Sequence, residues 1–101
     1  MGMEEFKLLD AVTASGVGAA KNVPNAKNIS LYYAATGVTT GATVQFEALS
    51  PNGDWHIIDQ QVIGATGLTV VRLENTSFLS VRGNVSAYTD GTYTLSTNAQ
   101  S

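Results

Sequence analysis

Between Ala42 and Ile58 the chain alternates, turns and alternates again. Val44, Phe46 and Ala48 fall on one side of an extended segment and Thr43, Gln45 and Glu47 on the other, the period of two that marks a half-buried strand. Ser50, Pro51, Asn52 and Gly53 then supply turn chemistry: proline presets φ at the first central position, asparagine tolerates the next, and glycine accepts a positive φ without steric cost. The chain must reverse there. Trp55, the sole tryptophan, follows at once and is expected to plug the core beneath the hairpin, its indole N–H partnered.

The rest of the chain reads the same way. Residues 27–35 place Ile29, Leu31 and Tyr33 on one face. Apolar positions 55, 57, 58 and 62 fit a strand that shifts face near Ile57 and Ile58, the signature of a bulge. Leu68–Leu73 is another strand, and 77–88 carries Leu79, Val81, Val85 and Ala87 on one side with Ser80, Arg82, Asn84 and Ser86 on the other. Thr89-Asp90-Gly91-Thr92 reads as a second hairpin turn, after which Tyr93 and Leu95 point inward. Pro24 cannot donate to a ladder, so 18–27 reads as an edge strand or loop. Residues 4–12 fit a short helix or a first strand, and the β character downstream favours strand. Seven to eight short strands with turn signals every 8–12 residues predict an all-β fold, an antiparallel β-sandwich of jelly-roll or Ig-like connectivity. Its expected core is Val44, Phe46, Trp55, Ile57, Leu79, Val81, Val85 and Leu95.

With 101 residues this is one domain, residues 1–101, in which 1–12 is either an N-terminal arm or an edge strand. The absence of cysteine excludes a disulfide framework and a thiolate zinc site. The net charge of −3, with five scattered basic residues, leaves no basic stripe for a nucleic-acid backbone. No apolar run approaches the ~20 residues of a membrane-spanning helix, and the acidic start lacks the positive region of a secretory signal. No membrane partner is expected, and synthesis in the cytoplasm is.

Candidate chemistry is sparse. His56, the sole histidine, lies near Asp54 and Asp59 without an accompanying nucleophile, so a surface contact explains the group better than a catalytic base. Asp54 and Asp90 each flank a turn glycine, where aspartate serves local backbone hydrogen bonds far more often than calcium. The Asn-x-Ser triplets at Asn28, Asn75 and Asn84 fit Ser/Thr-rich strands. No cofactor, metal or enzyme activity is expected. Tyr32 is the main outward aromatic, a candidate stacking surface for a glycan.

The segments Ala26–Leu31, Gly41–Trp55, Phe78–Val85 and Tyr88–Leu95 resemble a pattern of small tailed-bacteriophage virion proteins. There a strand leads to a Ser-x-Asp-Gly-x-Trp hairpin, a Phe-x-x-x-Arg strand and a Tyr-x-x-Gly-Thr hairpin. Here Pro51-Asn52-Gly53-Asp54-Trp55 replaces the acidic-glycine form, and Arg82 matches the arginine, whose implied task is to orient the neighbouring turn. A free-standing chain of this length resembles capsid decoration or cement proteins more than a fibre. The resemblance implies a non-enzymatic protein on the capsid surface of the virion, bound across neighbouring subunits of the major capsid protein and self-associated. The competing expectation is a carbohydrate- or host-surface-binding sandwich of a tail or adhesin. Partner contact is expected at Phe6, Leu8, Leu9 and Val12, which combine apolar side chains with charges at 4, 5, 7 and 10, and at Tyr32.

Overall fold

The structure, a computed structural model, describes residues 3–23 and 26–100. Among these residues nine strands follow one another: β1 Met3–Val12, β2 Gly16–Val17, β3 Lys21–Asn22, β4 Asn28–Thr36, β5 Ala42–Leu49, β6 Trp55–Ile63, β7 Gly67–Glu74, β8 Ser80–Ser86 and β9 Thr92–Gln100. They form two antiparallel sheets, one ordered β1-β9-β4-β7 and the other β2-β8-β5-β6 with β3 also along β8. The fold is a β-sandwich. The strands beyond the expected seven or eight include β2 and β3, each two residues long and too short to carry a periodic signal. Pro24, read as the mark of an edge or loop, lies outside the described residues.

Alternation places the core where period two says it belongs on the central strands. Ile29, Leu31, Tyr33, Tyr93 and Leu95 of the first sheet meet Val44, Phe46, Val81 and Val85 of the second, all nearly without exposed surface. Each such side chain contributes about 1.5–3 kcal/mol by leaving water. Leu8 and Leu9 join them although they are consecutive, because β1 shifts register between Lys7 and Leu9 and so turns both inward. Leu9 fills the space above Gly83 of the facing sheet, where a Cβ would stand 2.7 Å from Leu9 Cγ. Phe78 closes one end of the core edge-on to Phe46, ring centroids 6.2 Å apart.

Three expected core residues are elsewhere. Ile57 and Leu79 are 53% and 66% exposed, and Trp55 is half-buried on the outer face of the second sheet. The cause for Trp55 and Ile57 is the pairing of β6. Trp55 is opposite Leu49 and Ile57 opposite Glu47, on the outward row of β5, while the bulge at Ile58 returns Asp59 to Phe46 and the inward row. Leu79 precedes β8, outside the ladder that orders Val81 and Val85. On this outer face Arg82 lies over the Trp55 ring at 4.3 Å and donates from Nε to Glu47 Oε1 at 2.6 Å. Next to it, Asn84 donates to Gln45, whose own amide donates to Gln60, a ladder of side chains across β8, β5 and β6. These contacts explain how Gln45 and Glu47 are buried while pointing away from the core.

The turn at 50–54 behaves as its residues require. Gly53 N–H donates to Ser50 O at 3.0 Å, Ser50 N–H donates to Asp54 O at 2.8 Å, and Gly53 takes φ +92°. It is the hairpin between neighbouring strands. The Asp90-Gly91 turn, expected to be a second one, instead carries the chain from β8 in one sheet to β9 in the other. Asp90 accepts the backbone N–H groups of Thr39, Thr40 and Gly41 at 2.9–3.1 Å, while Gly41 O accepts Thr89 N–H. Those bonds, from Thr40 above all, hold the Asp90 carboxyl below its ordinary pKa.

Depression of that pKa sets a sign. Stability from Asp90 is complete above the ordinary carboxylate pKa of about 4 and is lost as pH falls through the lower folded value. Asp90→Asn is therefore expected to lower the melting temperature at neutral pH and to flatten its fall on acidification; a parallel acid profile in the two proteins would contradict the assignment. On the other sheet face, Arg82→Ala strands the Glu47 carboxylate and is expected to cost about 2–3 kcal/mol, less than a fully buried pair. Trp55→Ala, which loses a partly exposed ring and its cation contact, should cost about 1–2 kcal/mol. Denaturant unfolding that ranked them the other way would put the tryptophan back in the core. Thr97 is 2% exposed and its hydroxyl has no hydrogen-bond partner among the described residues. Thr97→Val should accordingly raise the unfolding free energy by about 1 kcal/mol in the same measurement.

Candidate functional site

Each sheet ends in edge strands on two sides of the sandwich. On one side β1 faces the broken edge made by β2 and β3. On the other, β6 and β7 lie side by side as the last strands of their sheets. The first of these sides is closed tightly: Gly18 passes so near β1 that a Cβ there would stand 2.2 Å from the Leu8 carbonyl oxygen.

Residues expected to touch a partner are divided by this arrangement. Leu8 and Leu9 are in the core, and Phe6 and Val12 are partly buried against it. Residues 3–12 pair with β9 from Gln100 to Tyr93 in the chain by itself, so an arm that orders only on a partner is not the state seen here. The reason is energetic, since Leu8 and Leu9 gain by burial in the chain's own core what an arm would gain from a partner. Tyr32 does face outward, in a cross-strand row with Lys7, Ser96 and Val70. It and Phe6 help line a hollow of about 380 Å³ on the first sheet, with Glu5, Lys7, Ser96 and Asn98 among the polar groups around it.

Among the described residues the titratable groups do not assemble into a reactive set. Asp59 accepts the Tyr33 hydroxyl at 2.6 Å, a bond from β4 to β6 that ties the two sheets together on their β6–β7 side. Burial first, and then the Asp59 carboxylate, hold the Tyr33 phenol well above its ordinary pKa. Asp54 belongs to the hairpin turn, where its N–H donates to Ser50 Oγ. No hydrogen bond joins His56 to either carboxylate among the described residues. Among those residues no three of His, Asp and Glu gather where a metal ion would need them.

What the alternation did not expose is the character of the β6–β7 side. Of seven large apolar side chains left exposed among the described residues, five are here: Ile57, Ile58, Val62, Leu68 and Val70. Val62 is 79% exposed and Leu68 62%. Here too there is a hollow of about 340 Å³, lined by Ile58 of β6, by Arg72, Leu73 and Glu74 of β7 and by Phe78. Arg72 and Glu74 pair at 3.4 Å in the open, a contact of little energetic weight. One signal was available: Leu68, Val70, Val71 and Leu73 make both faces of one short strand apolar, the pattern of a strand covered on both sides.

No protein-family model matches the chain, and no curated protein matches it in sequence. Solved structures do share its architecture. The SPBc2 prophage-derived protein YomS superposes with a TM-score of 0.77 at 14% identity, over 99% of this chain and 94% of that one. PirA gives 0.59 at 12% identity over 97% and 93%. A chain from Bacillus endospore appendages, which form a novel family of disulfide-linked pili, gives 0.58 at 14% identity over 98% and 88%. At these identities the likeness is one of fold: the chain is a two-sheet β-sandwich of the kind these three proteins contain.

Proposed function

We propose that the chain is a non-enzymatic structural protein of a phage virion, which decorates the capsid and stabilises it by binding across neighbouring subunits of the major capsid protein. The observation that carries this reading is the concentration of exposed apolar side chains along β6 and β7. Ile57 and Val62 lie on the outer face of the second sheet and Leu68 and Val70 on that of the first, so both faces along this side offer apolar surface to a partner. Support also comes from the fold shared with a prophage-derived protein and with a chain of an endospore appendage. The working location is the outer surface of the capsid, after synthesis in the host cytoplasm. Ile57 and Val62, on the outer face of the second sheet, are the side chains offered to the capsid.

A second reading has its own observation. The hollow around Tyr32 sets an aromatic ring beside Lys7, Glu5, Ser96 and Asn98, the mixture of stacking surface and hydrogen-bonding groups that a sugar requires. A glycan-binding module of a tail or adhesin would use this face.

Heads prepared without the protein are expected to burst at lower temperature or milder osmotic shock, and added protein should restore them. Deleting residues 3–12 is no fair test, since it removes Leu8 and Leu9 from the core. Ile57→Lys with Val62→Lys alters exposed positions only, and that folded variant should fail to bind heads. Heads equally robust without the protein would refute the decoration role. Micromolar sugar binding abolished by Tyr32→Ala would favour the second reading in its place.

A further inference from the structure

The two ends of β7 differ in kind. Its first half presents Leu68 and Val70, 62% and 54% exposed, on the outer face of the first sheet. Its second half, with Arg72, Leu73 and Glu74, lines the hollow shared with Ile58 and Phe78. Among the described strands β7 pairs with β4 alone, through eight residue pairs from Gly67 to Glu74 without a register shift. Its other edge is thus straight, without proline, bulge or lysine, and its two charges, Arg72 and Glu74, pair with each other on the outer face.

We propose that this edge pairs with itself: two copies join β7 to β7 antiparallel about a two-fold axis at Val70, so that two four-stranded sheets become one of eight. A second copy is the occupant because the strand is complementary to its own reversal. Turned about the axis, the apolar half of one β7 lies along the half of the other that borders the hollow, and the same match is made twice, as a closed two-fold contact requires. Side chains on one face stay on one face only if outward residues oppose outward residues. Every register centred on a residue satisfies this or its inward equivalent, and those about Val70 and Val71 pair the greatest length of β7. Pairing about Arg72 sets guanidinium against guanidinium, and pairing about Val71 leaves the two arginines diagonal neighbours. Pairing about Val70 opposes Val70 to Val70 and places the second copy's Leu68 against the stem of Arg72, which lines the hollow. The arginines are then separated by about 13 Å along the strand, four residues at ~3.3 Å each.

This deepens the structural role by naming the contact between copies, and it rests on that role only in taking assembly as the working state. Its test needs no heads, so it can fail while decoration stands. In sedimentation velocity the full chain is expected to dimerise with rising concentration. Val70→Lys brings two ammonium groups face to face and should weaken the dimer by about tenfold or more. Val62→Lys, on β6, should leave it unchanged; circular dichroism melts confirm that both variants are folded. The chain has no cysteine, so Val70→Cys supplies a single thiol that should form a disulfide-linked dimer on mild oxidation, suppressed by adding Leu68→Lys. A chain that stays monomeric at all concentrations, a dimer indifferent to Val70→Lys, or one broken by Val62→Lys instead would overturn the proposal.

Discussion

One carboxylate joins the parts of the fold that the strands alone would leave apart. Among the described strands the chain changes sheet six times, and three of these crossings, β4 to β5, β6 to β7 and β8 to β9, meet at one end of the sandwich. Asp90, in the last, gathers the N–H groups of the first. Gly41 is pressed against the β6 terminus so closely that a Cβ would stand 1.8 Å from the Ile63 carbonyl oxygen, and its φ of +117° also favours glycine. Val38 N–H donates to Thr66 in the remaining crossing. Tyr93, buried beneath, donates its hydroxyl to Asp90 O at 2.7 Å and packs edge-on against Tyr88. A crossing has no ladder to satisfy its backbone, so a charged acceptor supplies what a neighbouring strand would have supplied.

With that end fixed, the lateral sides of the sandwich take different characters. Where β1 meets β2 and β3, leucines and close backbone contact seal the gap. Where β6 meets β7, the sheets are tied by Tyr33 and Asp59, and the apolar residues around that bond face outward. The raised phenol pKa means that the tie favours neutral tyrosine. Its contribution is complete below the ordinary value of about 10 and is lost at higher pH, far from the range in which Asp90 acts.

Sequence patterning was sufficient for strands flanked on both sides and insufficient for those at the margins. β4, β5, β8 and β9 have neighbours on either side; burial alternates cleanly along β4, β8 and β9, and along β5 only the side-chain ladder of Gln45 and Glu47 breaks the alternation, so the inward residues could be read directly. Along β6 the same reading failed at Trp55 and Ile57. Alternation shows which residues share a face without showing which face is inside, and the bulge at Ile58 reverses the assignment partway. Asp90-Gly91 was read as a hairpin because a tight reversal and a crossing between sheets use the same residues; only pairing of the flanking strands separates them. At the candidate surface, apolar Leu8 and Leu9 looked available because no local signal reveals the register shift that buries both. Tyr32 alone of the five expected contact residues was legible as outward, since it sits within a regular strand.

The claim at the centre of this account is that the protein acts through the edges of its sheets. Residue-resolved amide hydrogen exchange, compared between the dilute chain and the chain assembled on its particle, tests it most directly. The account predicts that assembly slows exchange along 55–63 and 67–74 and leaves the amides around Tyr32 and Lys7 unchanged. Slowing confined to the Tyr32 hollow, with β6 and β7 exchanging as in the free chain, would contradict it.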